Sequence, residues 1–192
     1  ASGALQLSGG AHITALTGGS GHAGAVTVNA ATVTLQGRAY LSTTATAESS
    51  GHAGRVVLRA SGAVDLSDGA FITSDTGGRG HAGAVSMQAG SLTLASAGRI
   101  SSVVQADSSG QDGQSDVDVA GALRLGGGSG TVASGGATVS TSTFAAGAGG
   151  AVRVRAAAVD INGSGAGLVS FAHAGSRGNA GSASSSPPSI IP

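Results

Sequence analysis

A Gly-x-x-Gly turn recurs six times along the chain: Gly21-His22-Ala23-Gly24, Gly51-His52-Ala53-Gly54, Gly80-His81-Ala82-Gly83, Gly110-Gln111-Asp112-Gly113, Gly147-Ala148-Gly149-Gly150 and Gly178-Asn179-Ala180-Gly181. Successive starts lie 30, 29, 30, 37 and 31 residues apart. A fixed period in this range means one supersecondary unit stacked on copies of itself, each copy burying the face that its neighbour leaves open.

Three alternating apolar segments fill each period. The first follows the turn: Val26-Thr27-Val28, Val56-Val57-Leu58, Val85-Ser86-Met87, Val117-Asp118-Val119 and Val152-Arg153-Val154. Two residues on, the position is small (Ala30, Ala60, Ala89, Gly121, Ala156), as a tight bend requires. The second runs Leu5-Gln6-Leu7, Val33-Thr34-Leu35, Val64-Asp65-Leu66, Leu92-Thr93-Leu94, Leu123-Arg124-Leu125 and Val159-Asp160-Ile161. The third points Ile13, Leu41, Ile72, Ile100, Val139 and Val169 inward, each followed by a hydroxyl: Thr14, Ser42, Thr73, Ser101, Ser140 and Ser170. Period-two alternation without helical periodicity predicts an all-β, right-handed parallel β-helix, a β-solenoid of about five to six coils of roughly 30 residues with three short strands per coil. Residues 1–182 form one domain with a Gly-rich loop insertion near 126–136, and 183–192 form a Ser/Pro-rich C-terminal tail. The alignment also sets Asp118 beside Arg153 and Arg124 beside Asp160, so outward charges of opposite sign meet between coils.

Composition narrows the function classes. The 192 residues include 36 Gly but only 3 Phe, 1 Tyr and no Trp, a poverty that a narrow solenoid core accepts and a globule does not. Lys plus Arg equals Asp plus Glu at 9 each, with no basic stripe, which argues against nucleic acid and against a polybasic membrane surface. The chain has no Cys, so it holds neither a disulfide framework nor a thiolate metal site. No apolar run is long enough to cross a bilayer, and no charged-then-apolar signal segment opens the sequence, so membrane insertion is not expected.

The unit Gly-His-Ala-Gly-Ala-Val-Thr-Val, followed by an outward-polar strand and then by Ser-Asp-Gly-Ala-Phe-Ile-Thr-Ser, resembles the passenger repeats of the filamentous haemagglutinin family. These are large exoproteins exported by the two-partner route in Gram-negative bacteria. Their repeats commonly carry Gly-Asn-Ala-Gly before the strand, a form kept by Gly178-Asn179-Ala180-Gly181, whereas Gly21, Gly51 and Gly80 lead turns with His in place of Asn. The likeness covers roughly residues 3 to 182 and weakens through 110 to 146. It implies a right-handed β-helix, an outer-membrane secretion partner, an extracellular or cell-surface location, and a role in adhesion, aggregation or biofilm matrix. The secretion domain of such exoproteins is not recognisable here, which points to a fragment or to a small relative exported differently.

Candidate sites are few. His22, His52 and His81 share one column, and three neighbouring imidazoles bind Zn or Cu when they converge. A straight ladder does not converge, and Asn179 in the same column favours a hydrogen-bonding turn ladder built on Gly21, Gly24, Gly51, Gly54, Gly80, Gly83, Gly178 and Gly181. Asp107, Asp112, Asp116 and Asp118 offer Ca oxygens, without the spacing of a Ca-binding loop; solvated turn carboxylates are the plainer reading. A carbohydrate-active β-helix enzyme needs clustered carboxylates, and Asp65 and Asp160 lie three coils apart in the second-strand column. The hydroxyl column, with Thr17, Thr76 and Thr143 three residues beyond its first, third and fifth members, admits an ice-binding or glycan-binding face. Neither catalytic residues nor a cofactor are expected. Leu5, Leu7, Ile190 and Ile191 are candidates for self-association, because uncapped solenoid ends pair head to tail and propagate as filaments. The expectation is a non-enzymatic extracellular structural or adhesive rod, with self, surface glycans or matrix polysaccharide as partners; the alternative is a polysaccharide lyase or hydrolase.

Overall fold

The computed structural model describes residues 3–106, 108–111, 113–127, 136–174 and 176–187, and among them are sixteen strands and no helix. The chain opens with β1 (Ala4–Leu7) and β2 (His12–Thr17). Three full coils follow: β3 (Val26–Ala30), β4 (Thr32–Leu35) and β5 (Tyr40–Ala45); β6 (Val56–Ala60), β7 (Ala63–Leu66) and β8 (Phe71–Thr76); β9 (Val85–Ala89), β10 (Ser91–Leu94) and β11 (Arg99–Val104). In the next coils one long strand bends across two sides: β12 (Ser115–Gly126) with β13 (Thr138–Thr143), then β14 (Val152–Asn162) with β15 (Gly167–Ala172), and finally β16 (Ala183–Ser186). The chain is a right-handed parallel β-solenoid of about six turns.

Each side is a parallel stack in register. Val26, Val56, Val85, Ser115, Val152 and Ala183 follow one another on the first side. Leu5, Val33, Val64, Leu92, Leu123 and Val159 do so on the second. Ile13, Leu41, Ile72, Ile100, Val139 and Leu168 do so on the third. Their side chains meet in a narrow core in which Leu35, Leu66, Leu94, Leu125, Leu41, Ile72 and Ile100 are at most 1% exposed. Each such burial contributes about 1.5–3 kcal/mol, so stability is spread along the stack.

The register corrects the sequence reading at two places. In the fourth coil the first strand starts two residues earlier than its valines suggest: Ser115 stands in the Val85 column, Val117 follows Met87, and Val119 follows Ala89. The bend column therefore holds Val119 and not Gly121, and a bulge between Val119 and Ala122 takes up the extra length. The turn dictates this, because the strand begins two residues after the second turn glycine in every coil, at Val26, Val56, Val85, Ser115 and Val152. Ser115 is tolerated in an apolar column because its hydroxyl donates to the Ser140 carbonyl at 3.0 Å. The charge pairs shift with it: Asp116 now faces Arg153 at 3.7 Å and Asp118 faces Arg155, while Arg124 opposite Asp160 stands as expected. In the last coil Leu168, not Val169, points inward, and Val169 takes the place expected of Ser170.

The Gly-rich insertion is closed at its base by an antiparallel bridge between Gly127 and Gly136; its interior lies outside the described residues. The first side extends through β16 to Ser186, four residues into the stretch read as tail.

Candidate functional site

The six turns stack into a single edge, and glycine is required there by the neighbouring coil. A Cβ built at Gly51, Gly80, Gly110, Gly147 or Gly178 would overlap the carbonyl of the first turn glycine one coil below, and a Cβ at Gly83 would overlap that of Gly54. Gly21, in the first turn, meets nothing within 4 Å.

The histidines of this edge are side-chain acceptors for the backbone. His22 Nδ1 accepts the N–H of His52 at 3.0 Å, His52 Nδ1 that of His81 at 2.8 Å, and His81 Nδ1 that of Gln111 at 2.9 Å. The rings stack at 4.6 and 4.8 Å, nearly parallel at 7° and 5°. A neutral imidazole whose Nδ1 accepts must carry its proton on Nε2. Metal at Nε2 would push that proton onto Nδ1, against a backbone N–H, and no group of three metal-ligating side chains converges among the described residues. Burial, and after it the flanking His22 and His81 rings, hold His52 below the ordinary imidazole value.

Beneath the edge runs a ladder of buried hydroxyls that sequence reasoning missed: Thr43, Ser74, Ser102 and Thr141, all fully buried, with Ser170 above. Thr43 Oγ1 donates to the Gly54 carbonyl at 2.7 Å, and Gly83 N–H donates to Ser74 Oγ at 2.8 Å. Gly113 N–H likewise donates to Ser102 Oγ at 3.0 Å, and Thr141 Oγ1 to the Gly150 carbonyl at 2.7 Å. The ladder bolts the third side to the second glycine of the second to fifth turns, Gly54, Gly83, Gly113 and Gly150. Its signal was present as a hydroxyl column two residues past the inward Leu41, Ile72, Ile100 and Val139.

The same geometry engages members of the hydroxyl columns. Thr17, Thr76 and Thr143 turn inward and donate to the carbonyls of Gly21, Gly80 and Gly147 at 2.7, 2.9 and 3.0 Å. Ser42, Thr73 and Ser101 are buried and bond along their own column, as in Thr73 to Ser101 at 3.0 Å. These hydroxyls bond within the stack.

Two further features went unread. His12, Tyr40 and Phe71 stack at 4.7 and 4.8 Å, and the Arg99 guanidinium caps the column 4.8 Å above Phe71. Phe144 and His173 stack at 3.5 Å beside Phe171, and burial lowers the His173 pKa. In the row beyond Thr73, four residues from Phe71, burial raises the Asp75 carboxyl to about 6, against the opposing pull of the Thr73 hydroxyl bond and of Arg99. A folded value above the unfolded one of about 3.9 means that this contribution is fully present below about pH 4 and lost as pH rises through 6. Asp75→Asn is therefore expected to raise stability at pH 8 by about 1–2 kcal/mol and to leave it unchanged near pH 4, measured by urea unfolding at both.

The other expected sites stay apart. Asp116 and Asp118 face arginines, and Asp107 and Asp112 lie outside the described residues. A shallow groove of about 420 Å³ beside Gln88 and Gln114 is lined by these two aspartates with Arg153 and Arg155. Asp65 and Asp160 are three coils apart, about 14 Å, and do not form a carboxylate pair of catalytic spacing. Leu5 and Leu7 lie half-buried in the lowest coil, and Val159 and Ile161 in the uppermost are 38% and 41% exposed; Ile190 and Ile191 lie outside the described residues. No described helix is long and apolar enough to cross a membrane.

Fold and turn edge together define a parallel β-solenoid whose turn imidazoles and inner hydroxyls are spent on bonds to turn backbone. Comparison with family models, with curated proteins and with solved structures returned no match.

Proposed function

We propose that this chain is a non-enzymatic structural rod, an extracellular or cell-surface scaffold of the kind its repeats resemble in filamentous haemagglutinin-like exoproteins. On this reading it reaches the surface through an outer-membrane secretion partner and contacts matrix polysaccharide or surface glycans. The observation that carries the reading is the commitment of the chemically capable residues: the turn imidazoles, the inner hydroxyls and the inward threonines all bond to backbone of their own or adjacent coils. A rod needs those bonds, and a catalyst needs such groups free to meet substrate.

Self-stacking extends the proposal. The lowest coil presents β1, β2 and β3 as open strands, and the uppermost presents the second half of β14, β15 and β16. The column order matches, so a second copy would lay Leu5 and Leu7 on Val159 and Ile161, Ile13 on Leu168, and Leu16 on Phe171. Such a contact does not close and propagates as a filament. Electron micrographs of concentrated protein are expected to show rods joined end to end, with no release of reducing sugar from a polysaccharide panel. Monodisperse particles at every concentration would remove the filament, and saturable sugar release would replace the rod by a carbohydrate-active enzyme.

A further inference from the structure

We propose that the His22, His52 and His81 ladder is a proton-operated latch that opens the turn edge in mildly acidic surroundings and closes it at neutral pH. The geometry carries the argument. Each Nδ1 accepts a backbone N–H from the next coil, at 2.8–3.0 Å, so Nε2 already holds the ring's proton and an incoming proton has only Nδ1 to occupy. Protonation turns an acceptor into a donor that faces another donor. The bond between coils is lost, and it is lost at three successive levels, under His52, His81 and Gln111. The rings stand 4.6 and 4.8 Å apart, so charges on neighbours repel and favour the rings swinging outward into solvent.

Among the described residues, no opposite charge acts on His52. The charged residues of the adjoining turn segments are Glu48, Arg55 and Arg79, and the charges acting on His52 are those of its two neighbouring imidazoles. Asp107 and Asp112, in the segment that carries Gln111, lie outside the described residues. The Asn179 position shows how the same column is filled without a titrating group.

The sign follows from His52. Its folded pKa lies below the unfolded value of about 6.5, so the stabilisation is complete above that pH and drains away as pH falls towards the folded value. Asp75 moves the opposite way over an overlapping range, so a global melting curve would blur the two effects. Site-resolved exchange separates them. Between pH 7.5 and pH 5, after correction for intrinsic rates, the amides of His52, His81 and Gln111 should exchange about tenfold faster, while Leu58 and Leu94 stay protected. Nitrogen shifts of the three rings should report the Nε2–H form at pH 8. The combined His22→Asn, His52→Asn and His81→Asn protein should lose the acceleration. Unchanged protection of the three amides at pH 5, an Nδ1–H form at pH 8, or the same acceleration in the asparagine variant would overturn the proposal. The wild-type measurements decide it even if that variant fails to fold.

Discussion

Gly80→Ala is expected to destabilise the protein by more than about 3 kcal/mol, whereas Gly21→Ala leaves stability unchanged or raises it by up to about 1 kcal/mol. The two glycines hold the same place in the same turn, and both precede His-Ala-Gly. They differ in what lies beneath. A Cβ at Gly80 would run into the Gly51 carbonyl and approach the His52 amide nitrogen to 2.8 Å, and backbone cannot step aside as a side-chain tip can. At Gly21 no atom lies within 4 Å, and alanine only narrows the unfolded ensemble. Urea titration of both variants, compared by midpoint at equal slope, checks the pair. Equal costs would mean that glycine serves local turn conformation and not the approach of one coil to the next.

Ser74→Ala ranks second, at about 2–4 kcal/mol. The hydroxyl of Ser74 donates to the Gly54 carbonyl at 3.0 Å and accepts from the Gly83 N–H at 2.8 Å, with Thr43 Oγ1, whose one proton goes to the same carbonyl at 2.7 Å, lying 3.0 Å away. Its donor and one acceptor site are thereby engaged, in a side chain that is fully buried. Alanine would leave the Gly83 N–H without that partner at a site water does not reach, while Thr43 keeps the Gly54 carbonyl. Ser74→Thr should cost less than about 1 kcal/mol, because Thr43 and Thr141 fill the same column. Loss of protection at the Gly83 amide in Ser74→Ala, and its retention in Ser74→Thr, would tie the cost to the bond and not to the volume.

Much of this architecture was legible because a repeat states its own contacts. Once Gly21, Gly51 and Gly80 are seen as equivalent, Val26 must lie on Val56 and Val85, and so they do. The two misreadings have different physical roots. A one-residue slip in a strand exchanges its faces and is visible in the pattern, but a slip of two preserves every inward position. Alternation alone therefore could not tell Val117 from Ser115 as the start of the fourth-coil strand; the distance from Gly113 could. In β15, Leu168 and Val169 are adjacent and both apolar, and Ser170, placed inward to donate to Gly150 at 3.1 Å, decides between them.

The candidate site was legible only as a column. The period put the imidazoles in a row, but not the direction of their acceptance from backbone. The inner hydroxyls looked like ordinary strand polarity, because whether a Thr points outward to water or inward to a turn carbonyl depends on which turn it faces. Asp75 stood alone in its column between Thr44 and Val103, and its unusual proton affinity comes from burial in that row, which no spacing announces.

The chain has no cysteine, which leaves a clean background for one direct measurement of the stacking. Asp65 and Thr93 are outward register partners on the second side, one coil apart, and Arg124 is the next member of that column. Adjacent coils set Cα atoms about 4.8 Å apart, within disulfide reach, and alternate coils about 9.6 Å, beyond it. Under mild oxidation the Asp65→Cys, Thr93→Cys protein should form an intramolecular disulfide, and the Asp65→Cys, Arg124→Cys protein should not. Failure of the first pair to close, or closure of both alike, would contradict a solenoid in which residues one repeat apart lie on top of one another.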